Sequence, residues 1–488
     1  MSEANNGSIR DYDAYPELSL CIAGEWLSAV GRRTGIVYNP ATGESLGEFP
    51  FAGEADIESA IKAVAQGFSD WSSESLMTRY DMLHRVATLL LERSERIARL
   101  ITLELGKPLQ ESQQEVVTAA GMFRWAAEES RRNYGRTIPS RDNNIRASVE
   151  RVPVGPVAGF SGWNAPLITP ARKISGALGA GCSIVMKPAE KTPAVAQALM
   201  ECILDAGIPG TVVSMVVGDP AAISRKLLSS PVIRLVTFTG SIEVGKLLTA
   251  HAAQSMKRTV MELGGHAPVI VFDDVDVQAV ALAAAAAKFR NAGQICTSPT
   301  RFFIQEGIYD EFVAAFAKAA EAIIVGNGLD GDTTMGPLAT EAGVKRITEM
   351  VDDAMNRGAK LVAGGERLFS SGNFFAPTVL SDVTDDSLAM IEEPFGPLAL
   401  CTRFLECEEA IRRANQLEVG LAGYAFTNDS RRANQVRRQL EVGTLAINHF
   451  TASWPETPFG GYKDSGLGAE GGVEGLQAFQ QLRFISEK

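Results

Sequence analysis

Two hydrophobic periods alternate along the chain. From Asp56 onward the apolar spacing is helical, with Ile57, Ile61, Val64 and Phe68 on one face. Thr78 to Leu105 reads as two helices, with Ser94 as the cap between them and Gly106 and Pro108 as the stop. A further helix is predicted from about Gln110 to Asn133. Upstream, Asn39-Pro-Ala-Thr-Gly-Glu44 is a turn signal between two short strand-like runs.

The pattern then changes. Val152 to Phe160, Ser183 to Lys187, Val212 to Val217 and Leu235 to Thr239 read as strands. Pro193 to Asp205, Ala221 to Leu228 and Ser241 to Ala252 read as helices between and after them. Strands alternating with helices at this spacing imply right-handed crossovers in a parallel sheet, with ligands at the carboxyl ends of the strands. The alternation resumes after Val269, through an alanine-rich helix to Lys288 and a strand from Arg301, which predicts a second α/β domain. Arg136 to Arg151 fits neither pattern and carries the hairpin-turn signal Asp142-Asn143-Asn144. It reads either as an excursion of the first domain or as an arm that pairs with another subunit.

Composition narrows the class. The 488 residues are 45% hydrophobic and 21% charged, which excludes collagen, a wholly disordered chain and a disulfide scaffold. A net charge of −12 argues against binding a phosphate backbone, so no nucleic-acid partner is expected. The 6 cysteines form no CxxC pair, which points to a reducing compartment. The N-terminus is polar and acidic, unlike a signal peptide. The longest uncharged run, Val152 to Ala171, contains Pro153, Pro156, Pro166 and Pro170 and cannot span a membrane as a helix. A cytoplasmic protein without a membrane partner is expected. The 4 histidines show no ligand spacing, so no metal is expected.

Four short motifs carry candidate chemistry. Phe238-Thr-Gly-Ser-Ile-Glu-Val-Gly245 follows a strand and opens a helix, whose free N–H groups attract an anion. By itself it reads equally as a structural turn. Met261-Glu-Leu-Gly-Gly-His266 places a carboxylate before two glycines, as suits a group beside a ligand or a solvated loop. Cys296, in Phe289-Arg-Asn-Ala-Gly-Gln-Ile-Cys-Thr-Ser298, is the cysteine in a polar, glycine-containing turn, the partly exposed and electropositive setting a thiolate needs. Asn164, in Ser161-Gly-Trp-Asn-Ala-Pro166, offers an amide to a developing oxyanion or simply forms a turn before proline.

In this order, and with 34 residues from Glu262 to Cys296, the four motifs resemble the NAD(P)-dependent aldehyde dehydrogenase superfamily. Further landmarks are Lys187-Pro-Ala-Glu190, Glu393-Pro-Phe-Gly-Pro397 and Pro458-Phe-Gly-Gly-Tyr-Lys-Asp-Ser-Gly466, so the resemblance covers nearly the whole chain from Gly24-Glu-Trp26. Trp125 to Gly135, Met261 to Val271 and Trp454 to Phe459 are most similar to succinate-semialdehyde and α-ketoglutarate-semialdehyde dehydrogenases.

The resemblance implies an α/β fold with three parts. These are a Rossmann-like NAD domain (1–133 and 152–261), an α/β catalytic domain (262–466) and a small β oligomerisation arm (134–151 and 467–488). It implies Cys296 as nucleophile, Asn164 with the Cys296 N–H as oxyanion donors, Glu262 as general base, and Lys173 and Glu470 as a proton relay. It places Trp163, Ser241 and Val244 along a pyrophosphate, and Lys187 and Glu190 on the adenosine ribose. Glu393 is placed on the nicotinamide ribose with Phe395 nearby, and Phe160, Ser161, Gly218, Phe238, Thr239, Gly240 and Leu263 complete the cofactor site. A carboxylate at Glu190 repels a 2′-phosphate, which favours NAD over NADP. Arg172, Arg290, Ser453 and Trp454 are implied to hold a small-molecule aldehyde substrate by a distal carboxylate, and the assembly is implied to be a homodimer or homotetramer.

Two departures from the family pattern are present. Gly162 and Ala165 stand where proline and phenylalanine are usual, which opens space beside Asn164. Ser298 stands where some succinate-semialdehyde enzymes carry a second cysteine. Other readings remain: a dehydrogenase of aromatic or other aldehydes, a non-catalytic crystallin-like protein, and a cysteine hydrolase using His266.

Overall fold

The computed structural model describes residues 14–488. Its first sheet has eight strands, in the order Glu25–Leu27, Leu20–Ile22, Val213–Met215, Ile184–Lys187, Val157–Phe160, Leu235–Thr239, Arg258–Glu262 and Gly466–Leu467. The five inner strands, from Val213–Met215 to Arg258–Glu262, are parallel, and the flanking ones pair antiparallel. In chain order those five run 3-2-1-4-5. The order therefore reverses between Val157–Phe160 and Leu235–Thr239, the place where such sheets open a crevice for a dinucleotide. A second sheet of seven strands runs from Lys360–Ala363 to Thr444–Ile447, with Pro268–Val271 and Arg301–Gln305 inside it. Each sheet has its own buried apolar core.

Helix prediction is borne out at most boundaries, because caps and periodicity are local. Pro193–Asp205 has the predicted ends, as does the strand Leu235–Thr239, and Ser241 caps Ile242–Ala253 by accepting the Val244 N–H. The long fourth helix spans Leu109–Ser130. Gly106 ends the helix Ser94–Leu105 in the left-handed region, at φ 85°.

Two local expectations are corrected. Ser94 is the first residue of its helix, and the cap position belongs to Arg93. The Arg93 N–H bonds to the Leu89 carbonyl while its own carbonyl accepts from Ile97, so the two helices abut and leave no free end for a serine hydroxyl. Val152 to Phe160 is two strands in different sheets, Arg146–Pro153 and Val157–Phe160. Gly155 sits at φ +125° and Pro156 has no N–H to give a ladder, so the chain turns out of one sheet and into the other.

Arg136–Ile138 and Arg146–Pro153 form the predicted hairpin, with the Ile145 N–H on the Asp142 carbonyl at its tip. The C-terminal strand Gln480–Glu487 pairs along the whole of Arg146–Pro153. Residues 467–479 lie elsewhere. Leu467 pairs with Met261 in the first sheet, and Leu476 and Phe479 join the first core. Among the described residues no helix is long and apolar enough to cross a membrane.

Candidate active site

A cavity of about 950 Å³ lies where the two sheets face each other. Its walls include the Ser161–Ala165 segment that follows Val157–Phe160, the carboxyl ends of Leu235–Thr239 and Arg258–Glu262 from the first sheet, and the 290–297 segment ahead of the second. Cys296, Glu262, Asn164 and Glu470 line it together, although up to 306 residues separate them in the chain.

Cys296 is placed by a strained turn. After the helix Val277–Phe289, Asn291, Ala292 and Gly293 take positive φ of 49°, 51° and 73°. A Cβ on Gly293 would meet the Gly396 carbonyl at 2.1 Å, so only glycine fits. A web of amides holds the turn. Asn291 Nδ2 donates to the Asn164 carbonyl at 3.0 Å and to the Gln294 carbonyl at 3.1 Å, while Gln294 Nε2 donates to the Asn291 carbonyl at 3.1 Å. Asn164 Nδ2 spends one hydrogen on the Gln294 carbonyl, at 3.1 Å, and has a second to donate. A Cβ at Gly162 would lie 3.1 Å from Asn164 Oδ1, so glycine at 162 leaves the Asn164 amide room.

The thiol is not in the electropositive setting expected. Burial and the Glu393 and Glu262 carboxylates push the Cys296 thiol up to about 12, opposed by Arg172 and by a hydrogen bond from its own backbone N–H. A thiol held so far up is protonated at neutral pH, and its thiolate fraction grows about tenfold per pH unit. Alkylation of Cys296 by iodoacetamide in the cofactor-free protein should therefore be slow at neutral pH and still climbing at about pH 9. Mass spectrometry of the labelled peptides checks this, and a plateau near pH 8 contradicts it. Cys21, Cys182, Cys202 and Cys401 are buried and should stay unlabelled.

Both oxygens of Glu262 are buried without a hydrogen-bond partner. Burial and the neighbouring Glu470 raise its carboxyl well above the usual range, against Lys173 and Arg172. A buried, unpartnered carboxyl in a cavity is poised to take a proton. Behind it, Lys173 Nζ donates to Glu470 Oε1 at 2.5 Å. Lys173 itself lies outside the cavity wall, in full burial.

The first-sheet end of the cavity is lined by Ser161, Lys187, Glu190, Thr239 and Ser241. Ser241 opens a helix there, whose free N–H groups attract an anion, and Gly240 packs against the Phe238 ring, which a Cβ would strike at 2.3 Å. Lys187 pairs with Glu190 beside it. Trp163 and Phe395 meet edge to face at 5.6 Å. Glu393, pushed up to about 8 by burial, lines the opposite side. Ser161, Thr239, Val244 and Leu263 also line the cavity. Phe160 and Gly218 do not: Phe160 is buried in the first core, and Gly218 packs on Phe51 and Ala52.

At the other end, Arg172 and Arg290 both line the wall, and among the described residues neither has an ion pair within 4 Å. Arg172 lies over the Phe459 ring at 4.7 Å. Ser453 lines the same region, but Trp454 is 48% exposed and outside the wall, where it faces His449. His266 Nε2 donates to the Ala389 carbonyl, 2.8 Å away, and is not in the wall, which removes it as a base for Cys296.

The chain matches the aldehyde dehydrogenase family model over residues 26–485. It belongs to the aldehyde dehydrogenase family. A 4-(hydroxymethyl)benzenesulfonate dehydrogenase of Comamonas testosteroni is 46% identical over 466 residues, 96% of this chain and 97% of that one. A 3-sulfolactaldehyde dehydrogenase of Pseudomonas putida is 41% identical over 464 residues, 95% of this chain and 96% of that one. The solved succinate-semialdehyde dehydrogenase of Burkholderia pseudomallei superposes with a TM-score of 0.96 at 41% identity, covering 99% of this chain and 100% of that one. This aldehyde dehydrogenase is therefore an oxidoreductase that acts on aldehydes with NAD(P).

Sequence reasoning missed several residues of this aldehyde dehydrogenase site. Thr237, Glu111, Gln294 and Phe459 were not singled out. Thr237 did leave a signal, a hydroxyl in the otherwise apolar strand Leu235–Thr239. Glu111 left none, since an exposed-looking glutamate in a helical first turn is ordinary.

Proposed function

We propose that this aldehyde dehydrogenase oxidises an aldehyde that carries an anionic group at its far end, in the first place an ω-carboxylated semialdehyde such as succinic or α-ketoglutaric semialdehyde. The observation that carries this is the pair Arg172 and Arg290 in one cavity wall, without an ion pair among the described residues. Guanidinium groups are rarely left unpaired in a pocket and fit a carboxylate fork. A sulfonate satisfies the same fork. The relatives named for sulfonated compounds, together with the space left by Ala165, support sulfonated aldehydes as the second reading.

In the proposed reaction the Cys296 thiol gives its proton to water, the sulfur attacks the aldehyde carbon as the thiolate, and the Asn164 amide and Cys296 N–H stabilise the oxyanion. A donor of that kind is worth about 3–4 kcal/mol of barrier. The dinucleotide, when bound, supplies the hydride acceptor. Glu262 then takes a proton from the water that hydrolyses the Cys296 thioester, and Glu470 with Lys173 receives it. Lys187 and Glu190 hold the adenosine ribose, Ser241 and its helix the pyrophosphate, and Glu393 the nicotinamide ribose. The Glu190 carboxylate supports NAD over NADP, because it repels a 2′-phosphate.

The test is a panel of aldehydes with NAD and NADP, read by reduced-nicotinamide absorbance, on wild type and Arg172→Leu. Losing a charge-assisted hydrogen bond of about 1.5–3 kcal/mol should lower kcat/KM roughly 10- to 160-fold on succinic semialdehyde. Butanal should lose little. An equal loss on both substrates returns the assignment to an unspecified aldehyde. We also propose a symmetric homo-oligomer in a cytoplasmic setting. The exposed Leu482 and Phe484 on the strand Gln480–Glu487 support an added partner there. A monomer by light scattering at micromolar concentration contradicts it.

A further inference from the structure

Glu470 stands between two cavities. It lines the main one with Glu262, and it also lines a second void of about 20 Å³ with Arg172, Trp125 and Ser175, large enough for one water. A carboxylate that receives a proton on one face and releases it on another must be held in orientation as well as in place. Lys173 alone does not do this, because an ammonium is a compact charge on a flexible stem and fixes distance more than angle.

The missing constraint comes from the strand Leu235–Thr239. Thr237 Oγ1 donates to Glu470 Oε1 at 2.7 Å and accepts from Lys173 Nζ at 3.1 Å, which closes a triangle with the 2.5 Å Lys173–Glu470 contact. All three side chains are buried, Thr237 and Lys173 completely. Both donors are spent on Oε1, so Oε2 is the oxygen left to exchange a proton. Glu470 shares the cavity wall with Glu262, the proton source in this step, whose carboxyl is raised by burial and then by Glu470 and whose buried oxygens have no hydrogen-bond partner.

We propose that Thr237 is a positioning residue for deacylation, fixing the Glu470 carboxylate so that its free oxygen accepts the proton leaving Glu262. This rests on the roles proposed above for Glu262 and Glu470. In that step water forms a C–O bond with the thioester carbon, the C–S bond breaks, and sulfur leaves as the Cys296 thiolate. One water proton goes to Glu262, and the base is ready again only when that proton has passed to Glu470 and on to solvent. Hydride transfer precedes this, so Thr237 acts after the first turnover's NADH has formed.

Thr237→Val removes the hydroxyl and keeps the branched shape. First-turnover NADH formation should keep its wild-type rate, steady-state kcat should fall about tenfold, and KM for the aldehyde should not rise. Acyl-enzyme should accumulate by mass spectrometry, and Thr237→Ser should restore most of kcat. Thermal melts check each variant; should Val not fold, Thr237→Ala is read in the same way. The proposal is overturned if kcat stays within about twofold of wild type, if the first turnover slows equally, or if serine does not rescue. Glu470→Gln in parallel separates the layers. If it leaves deacylation unchanged, the relay reading itself fails. If it slows deacylation while Thr237→Val does not, only the positioning role fails.

Discussion

Replacing Cys296 by alanine should remove dehydrogenase activity, by at least about 10⁴-fold in kcat, because no other group can take over the covalent step. The structure leaves no substitute thiol. Cys21, Cys182, Cys202 and Cys401 are buried, and Cys407 is absent from the cavity wall. Dinucleotide binding should survive, since the Ser241 helix start and the Gly240 turn owe nothing to the thiol. NADH fluorescence titration measures binding, and a coupled aldehyde assay measures turnover. Turnover near wild type in Cys296→Ala contradicts the assignment of the nucleophile.

The second large effect is on Glu262→Gln. The amide cannot take a proton from water, and general-base loss costs about 10²–10⁴ in rate. In the proposed reaction hydride transfer comes before hydrolysis, so one equivalent of NADH should form per active site and the steady state should collapse. The trapped thioester should appear as an added mass on the peptide containing Cys296. Absence of both the first-turnover NADH and the acyl mass contradicts the base role. The same burial that leaves Glu262 unpartnered also predicts the pH response. Its carboxyl is raised well above the usual range, so it is protonated at mildly acidic pH and the base fraction grows as pH rises. Deacylation should accelerate with pH through that titration, and it should lose this dependence in Glu262→Gln.

Much of the site was legible because its signals are local. Cys296 stands out by the glycine and polar residues around it, and the structure shows why that turn is needed, with three left-handed residues ending at Gly293. Ser241 was readable as a helix start, and it caps Val244. What failed was equally local in cause. Val152 to Phe160 looked like one strand because its apolar run is unbroken, and only the Gly155 and Pro156 geometry divides it. Trp454, placed at the substrate by resemblance, lies outside the cavity wall, because the Trp454 N–H and carbonyl are bonded to the Thr457 hydroxyl in a tight turn.

By itself the sequence determined the alternation of strands and helices and most helix ends, and it singled out the cysteine, carboxylate and amide that the fold brings into one cavity. Those properties depend on neighbours a few residues away, where periodicity, capping and glycine preference act. Only the tertiary structure decided the electrostatics. Lys173 and Glu470 meet across 297 residues of chain, and Thr237 reaches Glu470 across 233. The thiol of Cys296 is pushed up, and not down as its polar surroundings in the sequence suggested, because folding takes water away from it and brings Glu393 and Glu262 near. Charge interactions and desolvation are set by distance in space and by burial, and neither is written in the order of residues.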